Sequence, residues 1–421
     1  MKFFSTRKKA PHVNLGESLL TGLAPDGGLY VPETIPARDF REYFPSSFPA
    51  LAADVLSPFF EKDPLASSLD DICASAFNFP VPLHSLGDDR EVLELFHGPT
   101  AAFKDFGARF LARSMEKELV RSGRTLTILV ATSGDTGGAV AAAFHGCRGI
   151  NVKVLFPKGR VSARQKRQLT CWGDNISAYE VEGSFDDCQK MVKDAFMDKD
   201  VSRRERLSSA NSINLGRLLP QMTYYVHSAL EFKKKHGANP LVIVPSGNVG
   251  NSCAGYWAKT SGAPIARIAL AVNANSTIVD FLSSGRYEPR PSVATLANAM
   301  DVGAPSNMER LQELFPSFKE FSANVTAWSV SDEHIRETIG KTWENDRYVM
   351  CPHTATAEYV RLTHFPREKS IIVSTAHPAK FETIVEPLVG HSVAVPDSLA
   401  VLLEKKETYQ SIPADHHLLF A

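Results

Sequence analysis

Leu126-Thr-Ile-Leu-Val-Ala131 runs into Thr132-Ser133-Gly134-Asp135-Thr136-Gly137-Gly138 and then into the alanine-rich stretch Ala139–Phe144. A short apolar run closed by a glycine cluster has the length and β-rich content of a buried strand, and the small residues behind it can form a helix. The pattern repeats. Val152–Phe156 ends in Pro157-Lys158-Gly159 and precedes the polar Ser162–Thr170, and Ile176–Val181 precedes the helix-like Phe185–Phe196. Strands alternating with helices imply a parallel sheet covered on both faces. The same order restarts at Leu241–Val244, recurs at Ile265–Val272 and closes with Ile371–Val373. Between the two series lies a helical pattern, Leu215–His236, interrupted only by Pro220. The expected fold class is therefore α/β, with two open, mostly parallel sheets flanked by helices and an additional N-terminal segment. The first ~90 residues are broken by Pro and Gly, which suits loops and short helices.

The composition narrows the function. With 421 residues, 43% of them hydrophobic and 22% charged, the chain suits an ordinary globular enzyme of two or three domains. Lys plus Arg number 46 against 47 for Asp plus Glu, a balance that argues against nucleic acid or a membrane surface held by bulk charge. No stretch approaches the ~20 apolar residues of a membrane span. The N-terminus lacks the apolar run of a signal peptide, so a cytoplasmic protein is expected. The six cysteines form no C-x-x-C pair and the 13 histidines no H-E-x-x-H, so no metal is expected. His416-His417 fits a solvated tail.

Ligands in open α/β sheets collect where strand C-termini meet helix N-termini, because unpaired N–H groups converge there. Four segments stand out. Pro245-Ser246-Gly247-Asn248-Val249-Gly250-Asn251 joins a strand to Ser252–Lys259 and matches neither G-x-x-x-x-G-K-[ST] nor G-x-G-x-x-G. It suits either a small phosphate-bearing cofactor or a plain capped turn. Thr132–Gly138 could hold a carboxylate on hydroxyls and bare N–H groups, or simply cap its helix. Lys104, between Phe103 and Phe106, suits either a desolvated amine for Schiff-base chemistry or a surface lysine lying along an aromatic patch. Asp105-Phe106-Gly107 mimics a kinase motif, but no H-R-D-L-x-x-x-N or glycine-rich kinase loop accompanies it. Ser374-Thr375-Ala376-His377-Pro378-Ala379-Lys380 offers a strand-end hydroxyl that could bond a heteroaromatic nitrogen. Together these are the parts a pyridoxal phosphate enzyme needs.

From Gly22–Pro32 through HGPTAAFKDFGARF, ATSGDTGGAV, NSINLGRLLPQ and PSGNVGN to STAHPAKF, the chain resembles the threonine synthase family of fold-type II pyridoxal phosphate enzymes. The resemblance covers most of the chain, in the family's order. It implies conversion of O-phospho-L-homoserine and water to L-threonine and phosphate by γ-elimination and β-addition, in a monomer or homodimer. It implies that Lys104 carries the cofactor, that Gly247, Asn248, Val249, Gly250 and Asn251 cradle its phosphate, and that Thr375 faces its ring nitrogen. It further assigns Thr100, Ser133, Gly134 and Thr136 to the substrate, with Asn211, Ser212 and Arg217 on the substrate's phosphate. Asp135 stands where many relatives have Asn beside the cofactor's phenolic oxygen. A carboxylate there must be protonated, turned away or screened by a donor. The domains implied are an N-terminal mixed segment, 1–90; a large cofactor-binding domain, 91–124 with 212–400; a small mobile α/β domain, 125–211; and a C-terminal tail, 401–421. The alternatives on this scaffold are a phospho-lyase acting on O-phosphothreonine or O-phosphohomoserine and a dehydratase of Ser or Thr. A non-catalytic binding module, which would be colourless, is the alternative from another class.

Overall fold

The computed structural model describes residues 1–40, 45–87, 89–132 and 134–420. Its strands are β1 (Phe3–Ser5), β2 (Tyr30–Pro32), β3 (Leu83–Ser85), β4 (Arg90–Glu94), β5 (Leu126–Ala131), β6 (Ile150–Pro157) and β7 (Ile176–Glu182). There follow β8 (Leu207–Ser208), β9 (Leu241–Pro245), β10 (Arg267–Val272), β11 (Thr326–Ser329), β12 (Ser370–Ser374) and β13 (Gln410–Pro413). They form two sheets of a doubly lobed α/β fold and a small antiparallel β1–β2 ribbon.

The large sheet has the order β11-β10-β9-β12-β4-β3, parallel except for the antiparallel edge strand β3. Its central strands alternate in the manner of a sheet buried on both faces. Val242, Val244, Ile371, Val373 and Leu93 enter one core, and Ile243, Ile372, Val92 and Ala269 enter the other. Ile372 pairs with both Ile243 and Val92 in register, so the three strands end on one edge. That edge therefore carries three loops side by side: the one leading from β4 to Lys104, the one after β12 and the one after β9.

The small sheet, β13-β7-β6-β5-β8, is entirely parallel. The expected helix Leu215–His236 is two helices, Leu215–Leu218 and Gln221–His236, with Pro220 at the junction. A proline has no N–H to continue the first ladder but fits the start of the second. The segment expected as a tail is folded over its described part, 401–420. The strand β13 completes the small sheet against β7, and Ile412 and Leu419 are buried. His416 Nε2 stands 3.4 Å from Asp198 Oδ2. Ile412 and Leu419 are too isolated in a polar stretch for periodicity to mark them, yet both join the buried cluster around Tyr179 and Val181 of β7. No described helix is long and apolar enough to cross a membrane.

Candidate active site

The lysine loop is sewn to the loop after β12. Ala102 and Ala376 form an antiparallel bridge, Phe103 N–H donates to Thr375 O at 2.9 Å, and His377 N–H donates to Ala101 O at 3.0 Å. Lys104 opens the helix Lys104–Ser122 at this point, next to these backbone bonds. It faces a cavity of about 480 Å³ between the two sheets, which Asp135, Arg217, Asn248, Thr375 and His353 also line. Burial pushes the Lys104 amine down to about 8; Asp135 opposes the shift, while Lys380 and Arg217 add to it.

One wall is the turn after β9. A Cβ on Gly247 would stand 2.6 Å from Met300 Cα, so only glycine lets the two backbones meet. Val249 adopts φ +64°, a costly region for a β-branched residue, and then the helix Gly250–Thr260 begins with no side-chain cap. Its first N–H groups are left for an anion. Buried Asn251 gives its Oδ1 to the hydroxyls of Tyr224, at 2.5 Å, and Tyr225, at 2.7 Å, while its Nδ2 has no hydrogen-bond partner among the described residues. An unpaired buried donor at an uncapped helix start fits a phosphate. Asn248 has a different use: its Nδ2 donates to Ser212 Oγ at 2.6 Å and its Oδ1 accepts from Ser306 N–H at 2.5 Å.

Beyond that wall Arg217 is buried, its guanidinium bonded to Ala210 O while its Nε lacks a partner among the described residues. Burial pushes it down to about 10, with Asp105 opposing, so it stays a cation. Asn211 and Ser212 line the cavity beside it. Their loop is held from behind by Arg310, which is fully buried and donates to Ser212 O at 3.2 Å, Ile213 O at 2.8 Å and Tyr30 O at 3.1 Å. Asn214 adds a bond from its Nδ2 to Leu19 O at 2.8 Å. The N-terminal segment thus braces this loop.

The facing wall is the turn after β5. Thr132 Oγ1 accepts from the N–H groups of Gly134 and Gly137, both at 3.0 Å, and so shapes the start of the helix Asp135–Phe144. Gly134 and Thr136 line the cavity; Ser133 lies outside the described residues. Asp135 answers the question its sequence position raised. It is neither turned away nor neutral: Lys380 Nζ stands 2.8 Å from its Oδ1, with both side chains buried. Burial alone would raise the Asp135 carboxyl, but Lys380, helped by Lys104 and His353, holds it well below the usual carboxylate range. Removing one partner of such a pair typically costs ~3–5 kcal/mol.

Thr100 needs correction. It does not reach the cavity; its N–H donates to Asp105 Oδ2 at 2.9 Å and its hydroxyl to Asp105 Oδ1 at 2.7 Å, and it is fully buried. The desolvated Asp105 consumes the donors that a substrate would need. Two residues of the site were missed. Lys380 stands in the quoted STAHPAKF stretch, and the need for a cation beside Asp135 could have pointed to it. His353 begins the helix Pro352–His364, where no motif marks it. Its Nε2 accepts from Ala299 N–H at 3.2 Å, and burial, against the pull of Asp135, pushes it down to about 4, so it is neutral.

Two parallel lobes, a desolvated lysine between them and an uncapped glycine turn for a phosphate define a pyridoxal-phosphate dependent enzyme of fold type II. The chain matches the family described as "Pyridoxal-phosphate dependent enzyme" over residues 91–374, "Threonine synthase N terminus" over 2–77 and "Threonine synthase, C-terminal" over 353–419. It is 39% identical to the threonine synthase of Haemophilus influenzae over 401 residues, covering 95% of this chain and 94% of that protein. The crystal structure of PLP-bound threonine synthase from Brucella melitensis superposes with a TM-score of 0.94 at 35% identity, over 100% of this chain and 98% of that one. That of Escherichia coli threonine synthase gives 0.90 at 36% identity, over 100% and 98%. The chain belongs to the threonine synthase family; its activity is threonine synthesis and its cofactor is pyridoxal phosphate.

Proposed function

We propose that the substrate is O-phospho-L-homoserine, from which this site expels the γ-phosphate and to whose Cβ it adds water, giving L-threonine. When bound, the cofactor withdraws electrons from the amino acid's Cα. Residues 247–251 would hold the cofactor's phosphate through backbone N–H groups and Asn251 Nδ2, and the Thr375 hydroxyl would bond its ring nitrogen. Lys104 holds the cofactor and moves protons at Cα and Cβ with its Nζ. An amine with a pKa of about 8 exchanges protons readily in either direction near neutral pH. Arg217, with Asn211 and Ser212, holds the substrate's phosphate; a planar guanidinium suits a phosphate because it can bond two of its oxygens. Gly134 and Thr136 hold the α-carboxylate at the start of the Asp135–Phe144 helix, where the dipole favours an anion.

The observation that carries this reading is that Arg217 and Asn251 both line the cavity and each has a buried donor, Nε and Nδ2, without a hydrogen-bond partner among the described residues. Two separate phosphates explain two separate unpaired donors. Supplied with O-phospho-L-homoserine, the holoenzyme should release threonine and phosphate in equal amounts. Release of 2-oxobutanoate and ammonia, or turnover of O-phosphothreonine alone, would make it a degradative lyase. Replacing Lys104 with Ala should abolish turnover and the cofactor's lysine-dependent visible absorption; a tag left by borohydride reduction on any other residue moves the assignment.

A further inference from the structure

The ion pair Lys380–Asp135 joins the two lobes. Asp135 heads a helix of the small lobe, directly after β5 and its glycine turn, whereas Lys380 sits in the short turn Pro378–Phe381 that follows β12 of the large lobe. The Nζ–Oδ1 distance is 2.8 Å, and the two side chains are 1% and 3% exposed. Beside this ion pair, Lys380 Nζ donates a hydrogen bond to Thr100 O at 2.8 Å. Thr100 in turn donates twice to Asp105, the neighbour of Lys104. A continuous polar chain therefore runs from the small-lobe helix to the base of the lysine helix. Beside it, Arg164 of the small lobe bonds Ala379 O and stands 3.3 Å from Glu382. The turn bearing Lys380 is thus gripped from the opposite lobe on both sides.

We propose that Lys380 is a positioning residue for the reaction: it is the counter-ion that keeps Asp135 ionised and fixed across the cleft, at the cavity wall shared with Lys104. This inference rests on the reading of Lys104 given above. Asp135 lines the cavity and Lys380 stands behind it, so the lysine acts on the reacting groups through the carboxylate. The other charged or titratable groups around the pair are Lys104, His353, His377 and Asp105, with Arg217 beyond Lys104. His353 is neutral and Asp105 is engaged by Thr100, which leaves Lys380 as the principal cation for Asp135. Opening the lobes would separate two charges that have no access to water. The correct charge beside Lys104 is therefore tied to the closed arrangement.

The test uses holoenzyme carrying Lys380→Met. Deprived of its counter-ion, buried Asp135 should take up a proton, and the cofactor's visible absorption should gain a titration between about pH 5 and pH 8. In the same variant kcat should fall by about tenfold or more while KM changes by less than about threefold. Adding Asp135→Asn to Lys380→Met should remove the new titration, which a merely structural role for Lys380 would not do. An unchanged spectrum across this range in the single variant overturns the proposal, as does a titration that persists in the double variant. Should the single variant fail to fold, recovery of a folded, cofactor-bearing double variant supports the charge pairing and failure to recover overturns it. Wild-type protein that carries its cofactor on Lys104 but forms no threonine would refute the substrate assignment alone, since the spectroscopic titration needs no turnover.

Discussion

Two turns of the same grammar, strand to glycine to helix, form opposite walls of the cavity, and they are held in different ways. The turn after β9 is locked within its own lobe. Gly247 is backed by the Met300 main chain, Val249 sits at positive φ, and Asn248 is tied to Ser212 and Ser306. The turn after β5 is held by side chains and across the cleft. Gly134 faces the amide end of Gln165, Thr132 ties the turn through a hydroxyl, and Asp135 is paired with Lys380 of the other lobe. A wall backed by main chain cannot adjust without moving a strand or a loop. A wall backed by rotatable side chains can. The first suits a phosphate that stays through every turnover, and the second suits a carboxylate that enters and leaves.

The sharpest way to break this contrast is to add one methyl group to each glycine. In Gly247→Ala the new Cβ would meet Met300 Cα at 2.6 Å and its carbonyl oxygen at 3.0 Å, so the cradle must shift. Cofactor affinity, measured by absorbance titration, should fall by about 100-fold, or ~2.8 kcal/mol at 1.4 kcal/mol per tenfold. In Gly134→Ala the nearest atom is Gln165 Nε2 at 2.6 Å, a side-chain end that can turn away, although the φ of +150° still disfavours alanine. Here kcat/KM should drop by about tenfold through strain of order 1–3 kcal/mol, with cofactor affinity within about twofold of the wild type. Equal loss of cofactor in both variants would mean that the walls do not differ.

A comparable effect, read in KM, separates the two phosphates. Arg217→Ala removes the charged donor at the far end of the cavity and leaves the turn after β9 untouched. A charge-assisted hydrogen bond contributes ~1.5–3 kcal/mol, so KM for O-phospho-L-homoserine should rise by roughly 10- to 150-fold. Cofactor affinity should stay within about twofold. If both fall together, Arg217 serves the cofactor's phosphate and the two-anion division of the cavity is wrong.

What the amino-acid order disclosed follows the range of the forces involved. The strands β5, β6, β7, β9 and β12 were legible because each is a continuous apolar run, and the place of Lys104, Gly247 and Thr375 at the cavity because they stand in local motifs. The strand β11, Thr326–Ser329, was not legible: it is short, half-exposed and held by pairing with β10. The strand β13 was missed for a related reason, since its pairing partner lies more than two hundred residues earlier. Thr100 was misassigned because its hydroxyl is consumed by a contact five residues away that no motif announces. Lys380 carried the same limit. Its position was in plain view, but its partner belongs to the other sheet, and only the closed fold brings the charges together.

The smallest effect is expected where the wall is main chain but the contact is a single hydroxyl. Thr375 is fixed by the bond from Phe103 N–H to its carbonyl and by the neighbouring Ala102–Ala376 bridge. Neither depends on the side chain. Thr375→Val is close to isosteric, so the loop should stay in place and the thermal midpoint should change little. What is lost is one neutral hydrogen bond of about 1 kcal/mol, a severalfold effect on cofactor affinity. On the proposed assignment of the hydroxyl to the ring nitrogen, the visible band of the bound cofactor should shift. A spectrum identical to that of the wild type would place the ring contact on another residue. It would also show that Thr375 contributes only main chain to the site, which would leave Lys380 as the residue through which the segment after β12 acts.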